Sequence, residues 1–226
     1  MARQLPLDAS DSEGAESPSV HDDRESGEVI VHGTPDADVG DTALLQHFSE
    51  GTIDLGEFEE LFRTFDHSAW RLESRQRFAS DEATDTYRQF IENGTVDWDE
   101  DDPYCELIRS QTAQGKRVER VRIVDQPPTT GQRYLLDNAK RNSALGEDIR
   151  NLWRADAERL RLPSEDFWLF DSRLAAKLRF DDEDNLVDVE LITEPVEIVR
   201  YSVIRDTAWH HAVPYEEFAV KLSNGE

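Results

Sequence analysis

The sequence predicts an α/β (or α+β) fold built on a single mixed sheet with flanking helices, and three observations lead there. Helical and strand-like stretches alternate with short links from about residue 54 to residue 153, the order of βαβ units. The run Phe167-Trp168-Leu169-Phe170 is apolar throughout between Asp166 and Asp171, the pattern of a strand covered on both faces rather than of an aromatic box held by two carboxylates. Finally, LAAKLRF and LVDVELI are separated by DDEDN, which reads as a hairpin turn.

The elements follow in chain order. Residues 1–50 hold twelve acids against Arg3 and Arg24, or −10 of a net −25, and have no aromatic before Phe48. Such a segment buries too little apolar surface to offset its ordering entropy, so residues 1–40 are expected to be a disordered acidic tail, with EVIVHG at 28–33 its one apolar run. A single α/β domain is expected over 41–222. DTALLQHF and DLGEFEELFRTF read as helices capped by Asp41 and Asp54, AWRLE as a strand, and DEATDTYRQFIENG as one helix closed by Gly94. Asp102 and Pro103 open a helix that ends at Gly115. KRVERVRIVD is a strand broken by DQPPTTG, RYLLDNAKRN a helix stopped by Gly146, and DIRNLWR a strand. After the hairpin, a last helix from Glu194 and Pro195 to Trp209 carries Val196, Val199, Val203, Ile204 and Ala208 as its expected buried stripe.

Composition excludes several functions. A pI near 4.5 argues against a broad grip on nucleic acid or an anionic membrane, since neutralising phosphates needs concentrated Lys and Arg. No apolar run reaches the roughly 18–20 residues of a membrane-spanning helix, and the start lacks a secretory h-region, so a cytoplasmic location is expected. The single cysteine, Cys105, agrees with a reducing compartment.

Most motifs with a known chemistry fail on inspection. DWDEDD at 97–102 lacks the Gly and the closing Glu of a calcium loop. His210 and His211 point about 100° apart on a helix and cannot share a zinc as an i, i+4 pair does. His67 reads as a helix-end histidine. Cys105 opens a helix among acids that oppose thiolate formation. The Walker, dinucleotide, esterase and zinc-protease signatures are absent, and neither cofactor nor metal is expected.

The remaining candidates are arginines and acids near strand ends. Arg120 and Arg122 share one strand face; Glu147, Asp148 and Arg150 surround the next strand; Asp166, Trp168 and Asp171 belong to the apolar one. Two readings stand for this set: a buried network or solvated faces, or a ligand crevice at the carboxyl ends of parallel strands.

At these residues the chain resembles a known family. FEELFRTFDHSAWRLESRQRF, RVERVRIVDQPPT, YLLDNAKRNSALGEDIRNL, LPSEDFWLFD and DTAWHHAVPYEEF look like an uncharacterised actinobacterial domain family over about residues 52 to 220. The motif positions are Arg71, Glu73, Arg120, Arg122, Asn142, Gly146, Glu147, Asp148, Arg150, Asp166, Trp168, Asp171 and Trp209. Family genes often neighbour helix-turn-helix regulators, which implies a regulatory or toxin-antitoxin-like setting with a protein partner. The element order also resembles a shortened phospholipase D-like domain. Active members of that superfamily need His two residues before Lys, whereas Lys116, Lys140, Lys177 and Lys221 follow Gln114, Asn138, Ala175 and Ala219.

The resulting expectation is a non-enzymatic regulatory or protein-interaction domain. The rival is a hydrolase or toxin acting on a phosphate-containing small molecule or nucleic acid through the arginines, with Glu73, Glu147, Asp148 or Asp171 as base.

Overall fold

The computed structural model describes residues 51–99 and 102–224, and before them the backbone of Ser19–Asp22 (β1) and Val29–His32 (β2), which pair antiparallel. The expected tail and the expected helix at DTALLQHF otherwise lie outside the described residues. The chain divides between Asp41 and Thr42.

In the second unit, FWLF decides the architecture. It forms β7 (Asp166–Phe170), buried at all five residues, with Phe167 and Leu169 in one core and Trp168 and Phe170 in another. A strand without a polar face needs covering on both sides, and both sides are covered. The other strands of its sheet are β3 (Gly51–Ile53), β4 (Ser68–Glu73), β5 (Arg117–Val124), β6 (Glu147–Trp153), β8 (Leu174–Phe180), β9 (Leu186–Ile192) and β10 (Val213–Pro214), in the order β10-β6-β5-β4-β7-β8-β9-β3. The pairs β4/β5 and β5/β6 are parallel; the others are antiparallel. The single mixed sheet is therefore as expected, and β8 and β9 make the expected hairpin.

Helix α1 (Leu55–Thr64) is capped by Asp54, whose carboxylate accepts from Glu57 N while Glu57 reaches back to Asp54 N. Its Leu61 and Phe62, with Phe65 just beyond it, pack on the sheet, where Phe62 meets Trp168 edge-on at 4.7 Å. The helix expected over DEATDTYRQFIENG is two pieces, α2 (Ala79–Glu82) and α3 (Asp85–Asn93). Thr84 breaks it, because its hydroxyl caps Tyr87 N and starts a new helix. Helix α4 (Pro103–Ala113) opens on Asp102 as expected, and α5 (Thr130–Ala144) on a capping box from Thr129 and Gln132.

The other sheet face carries α6 (Arg154–Arg159) and α7 (Pro195–His211), and α8 (Tyr215–Asn224) packs Phe218 against Trp153. Here the stripe assignment is corrected. Ile198, Tyr201 and Ala208 face the core with Ile204 and Trp209 beside them, while Val196, Val199 and Val203 are 72%, 64% and 59% exposed.

Candidate functional site

The site is a consequence of the two-residue period of strands. In the parallel pair β4/β5, Arg71 lies opposite Arg120 and Glu73 opposite Arg122, and the antiparallel pair β4/β7 sets Trp168 beside Arg71. Three arginines thus share one face with carboxylates. Glu73 accepts from Arg122 Nε at 2.6 Å and Arg120 Nη1 at 3.2 Å and forms an ion pair with Arg71 Nη1 at 3.3 Å. Glu147, at the start of β6, accepts from Arg120 Nη2 at 3.1 Å and from the Tyr104 hydroxyl. Asp166 accepts from Ser74 N and Ser74 Oγ, each at 2.7 Å, and sits 3.5 Å from Arg71 Nη2. Arg122 Nη1 also donates to the Leu135 carbonyl of α5, which ties the helix to the floor.

The electrostatics follow from burial and proximity. Burial alone would raise the Glu73 carboxyl, but Arg122, Arg71 and Arg120 outweigh it and hold it well below the usual carboxylate range. Burial would lower the Arg120 pKa, and Glu147 and Glu73 reverse that. Asp166 moves upward because burial outweighs Arg71. Several buried atoms nonetheless lack a hydrogen-bond partner among the described residues, including Nε of Arg71 and Arg120 and Oε2 of Glu147.

Over this floor lies a cleft of about 790 Å³. Helices α1, α4 and α5 wall it with Phe62, Tyr104 and Tyr134, and Trp98, Phe78 and Phe180 close other sides. Arg71 reaches it as the most open floor arginine, 14% exposed against 8% for Arg120 and 4% for Arg122. Its guanidinium stands 5.3 Å from the Phe78 ring and 5.6 Å from that of Trp168. Asp81 of α2 also lines the cleft, its carboxyl pushed up to about 6 by burial and then by the charge of Glu73.

The expected residues divide. Arg71, Glu73, Arg120, Arg122, Glu147, Asp166 and Trp168 come together, and buried Asn142 lines the cleft, accepting from Arg141 Nε at 3.3 Å. Asp148 and Arg150 do not join them: they alternate with Glu147 and Ile149, so they lie on the opposite face, where Arg150 stacks 3.8 Å over Trp209 and pairs with Asp148 at 3.3 Å. Asp171, just past β7, does not join them either: it accepts from the backbone N–H groups of Asp66, His67 and Ser68 at 2.8, 2.7 and 2.8 Å. It is a structural clamp. The groups also meet over the body of the sheet rather than beyond the strands' carboxyl ends, since Glu147 begins its strand. Gly146 of the same motif has φ 102°, and a Cβ there would lie 3.0 Å from Thr112.

Sequence reasoning missed Asp81, which has no local motif and reaches the cleft only through the fold. Cys105 is buried, and burial with Asp102 beside it pushes the thiol up to about 11, against a nucleophilic role. Among the described residues no group of three or more His, Cys, Asp or Glu side chains could hold a metal ion, and no helix is long and apolar enough to cross a membrane.

Residues 56–220 match the family model described as a domain of unknown function (DUF6879). No curated protein matches the chain. Among solved structures, Nuc from Salmonella typhimurium, a phospholipase D family member, aligns with TM-score 0.43 and 12% identity over 69% of this chain and 86% of its own. NucT from Helicobacter pylori aligns with TM-score 0.43 and 11% identity over 74% and 97%. At these scores the two stand as likenesses only.

Proposed function

We propose that this chain, which belongs to the DUF6879 family, is a non-catalytic regulatory domain that takes a small effector in the cleft over its sheet. The observation that carries the reading is the state of the floor. Arg120 and Arg122 are committed to Glu73 and Glu147, and Glu73 is held as a tightly paired anion, so these groups offer neither a free phosphate clamp nor a base. The cleft itself has the volume and aromatic walls of a small-molecule site.

A protein partner would then read the occupied state, and the outward valines of α7 support one, because an aligned apolar stripe on a helix is a common docking surface. A helix-turn-helix regulator is the partner the family resemblance implies. The test is a thermal-shift screen of metabolites with turnover of each binder followed in parallel. A ligand at 100 times its Kd should stabilise the fold by about 2.7 kcal/mol and be recovered unchanged. Recovery of a converted product would overturn the reading.

One observation favours a second reading, a hydrolase. Asp81, with a carboxyl at about 6 beside arginines in a cleft, has the properties of a general acid or base. That reading requires turnover of a phosphodiester probe that Asp81→Asn abolishes while leaving the fold intact.

A further inference from the structure

Within the effector reading, on which this inference rests, we propose that the cleft is built for a flat organic monoanion, an aromatic carboxylate of one or two rings. The carboxylate would pair with the Nη groups of Arg71, and the ring body would lie against Phe62, Phe78 and Trp168.

Arg71 is singled out by its bonding. Arg120 and Arg122 each hydrogen-bond to carboxylates, whereas Arg71 meets its carboxylates only as ion pairs, at 3.3 Å to Glu73 and 3.5 Å to Asp166. Both are long for charge-assisted bonds, which run about 2.7–2.9 Å. Its Nε, like that of Arg120, is buried without a hydrogen-bond partner among the described residues. Of its neighbours, Glu73 already holds two other arginines and Oδ1 of Asp166 holds Ser74, while Oδ2 of Asp166 has no hydrogen-bond partner among the described residues and stays 3.5 Å from Arg71 Nη2. A guanidinium fork without a hydrogen bond among the described residues, at the bottom of an aromatic-walled cleft, fits a planar bidentate acceptor from outside.

Charge sets the valence of the ligand. Three arginines face the carboxylates of Glu73, Glu147 and Asp166, and Asp81 lines the same cleft. Carboxylates already match the arginines in number, so each added negative charge is costly, and a single one held on the Arg71 fork costs least. A dianion such as a phosphate monoester would leave an unpaired charge in a desolvated site. A polyanion would also meet the field of a chain with net charge −25. The aromatic walls argue for a ring body rather than a small inorganic anion, because burying apolar ligand surface supplies the driving force.

The test is isothermal titration of the full-length protein with three isosteric probes: 2-naphthoate, naphthalene-2-carboxamide and 2-naphthyl phosphate. The acid should bind at least about tenfold tighter than either other probe, and Arg71→Met, which keeps the apolar stem, should bring the acid down to the amide's affinity. The comparison among probes needs only the natural protein, so it stands even if the variant fails to fold. Equal or tighter binding of the amide, or tighter binding of the phosphate, would sink the monoanion class and leave the cleft as an effector site. No binding of any probe at millimolar concentration would remove the effector reading along with it.

Discussion

Replacing Asp81 by Asn should make the protein more stable at neutral pH. The carboxyl sits in the cleft near Glu73, and its pKa rises from 3.8 to about 6 because burial, and then Glu73, disfavour its charge; Arg122, Arg71 and Arg120 offset this only in part. A native state with the higher pKa binds the proton more tightly than the unfolded chain. The stabilisation that this proton brings is complete below 3.8 and is lost as pH rises through about 6. At about 1.36 kcal/mol per pH unit, ionising Asp81 in the folded protein costs at most about 3 kcal/mol. Asn is neutral throughout and avoids that cost. Urea denaturation followed by tryptophan fluorescence should place the variant about 2–3 kcal/mol above the natural protein at pH 7.5, with the gap closing to under about 0.5 kcal/mol near pH 4. A gap that stays constant with pH, or a variant that is less stable at pH 7.5, would refute the reasoning.

Other substitutions test the rest of the structure. Glu73→Gln leaves three arginines around a neutral group and should destabilise by roughly 3–5 kcal/mol in the same urea assay. Because the Glu73 pKa is depressed, its contribution is present above about 4.5 and is lost as pH falls toward the lower folded value, so the variant should show a flatter acid limb than the natural protein. Asp171→Ala removes the acceptor of three backbone N–H groups and should cost on the order of 2–4 kcal/mol by thermal or urea unfolding. Val199→Lys lies on the exposed side of α7 and should change stability by less than about 0.5 kcal/mol, while a tagged copy purified from its own host loses the protein partner that the natural chain retains.

Much of the fold was legible in the sequence because its strongest signals are local. FWLF reads best as a doubly covered strand, and Asp54, Asp102 and Gly94 mark helix ends through backbone hydrogen bonds that each residue makes on its own. Arg120 and Arg122 were readable as one face from their spacing. The same rule, applied to adjacent Glu147 and Asp148, would have sent Asp148 and Arg150 to the other side. The α7 stripe was misassigned for a different reason: the helix has apolar residues on both sides, and periodicity alone does not say which side meets the sheet. The short strands β3 and β10, of three and two residues, are too brief for any pattern to register. Asp81 owes its position to tertiary packing.

The most direct test of the central claim, that the cleft over the Arg71–Glu73–Arg120–Arg122 floor receives the effector, is to follow the five tryptophan indole signals by NMR during titration with 2-naphthoate. Trp98 and Trp168 line the cleft, whereas Trp70 and Trp209 belong to the opposite core and Trp153 packs on α8. The account predicts saturable shifts of Trp98 and Trp168 with the other three unmoved. Saturable shifts confined to Trp70, Trp153 or Trp209, or no shift with 2-naphthoate or with either of the other two naphthyl probes, would contradict it.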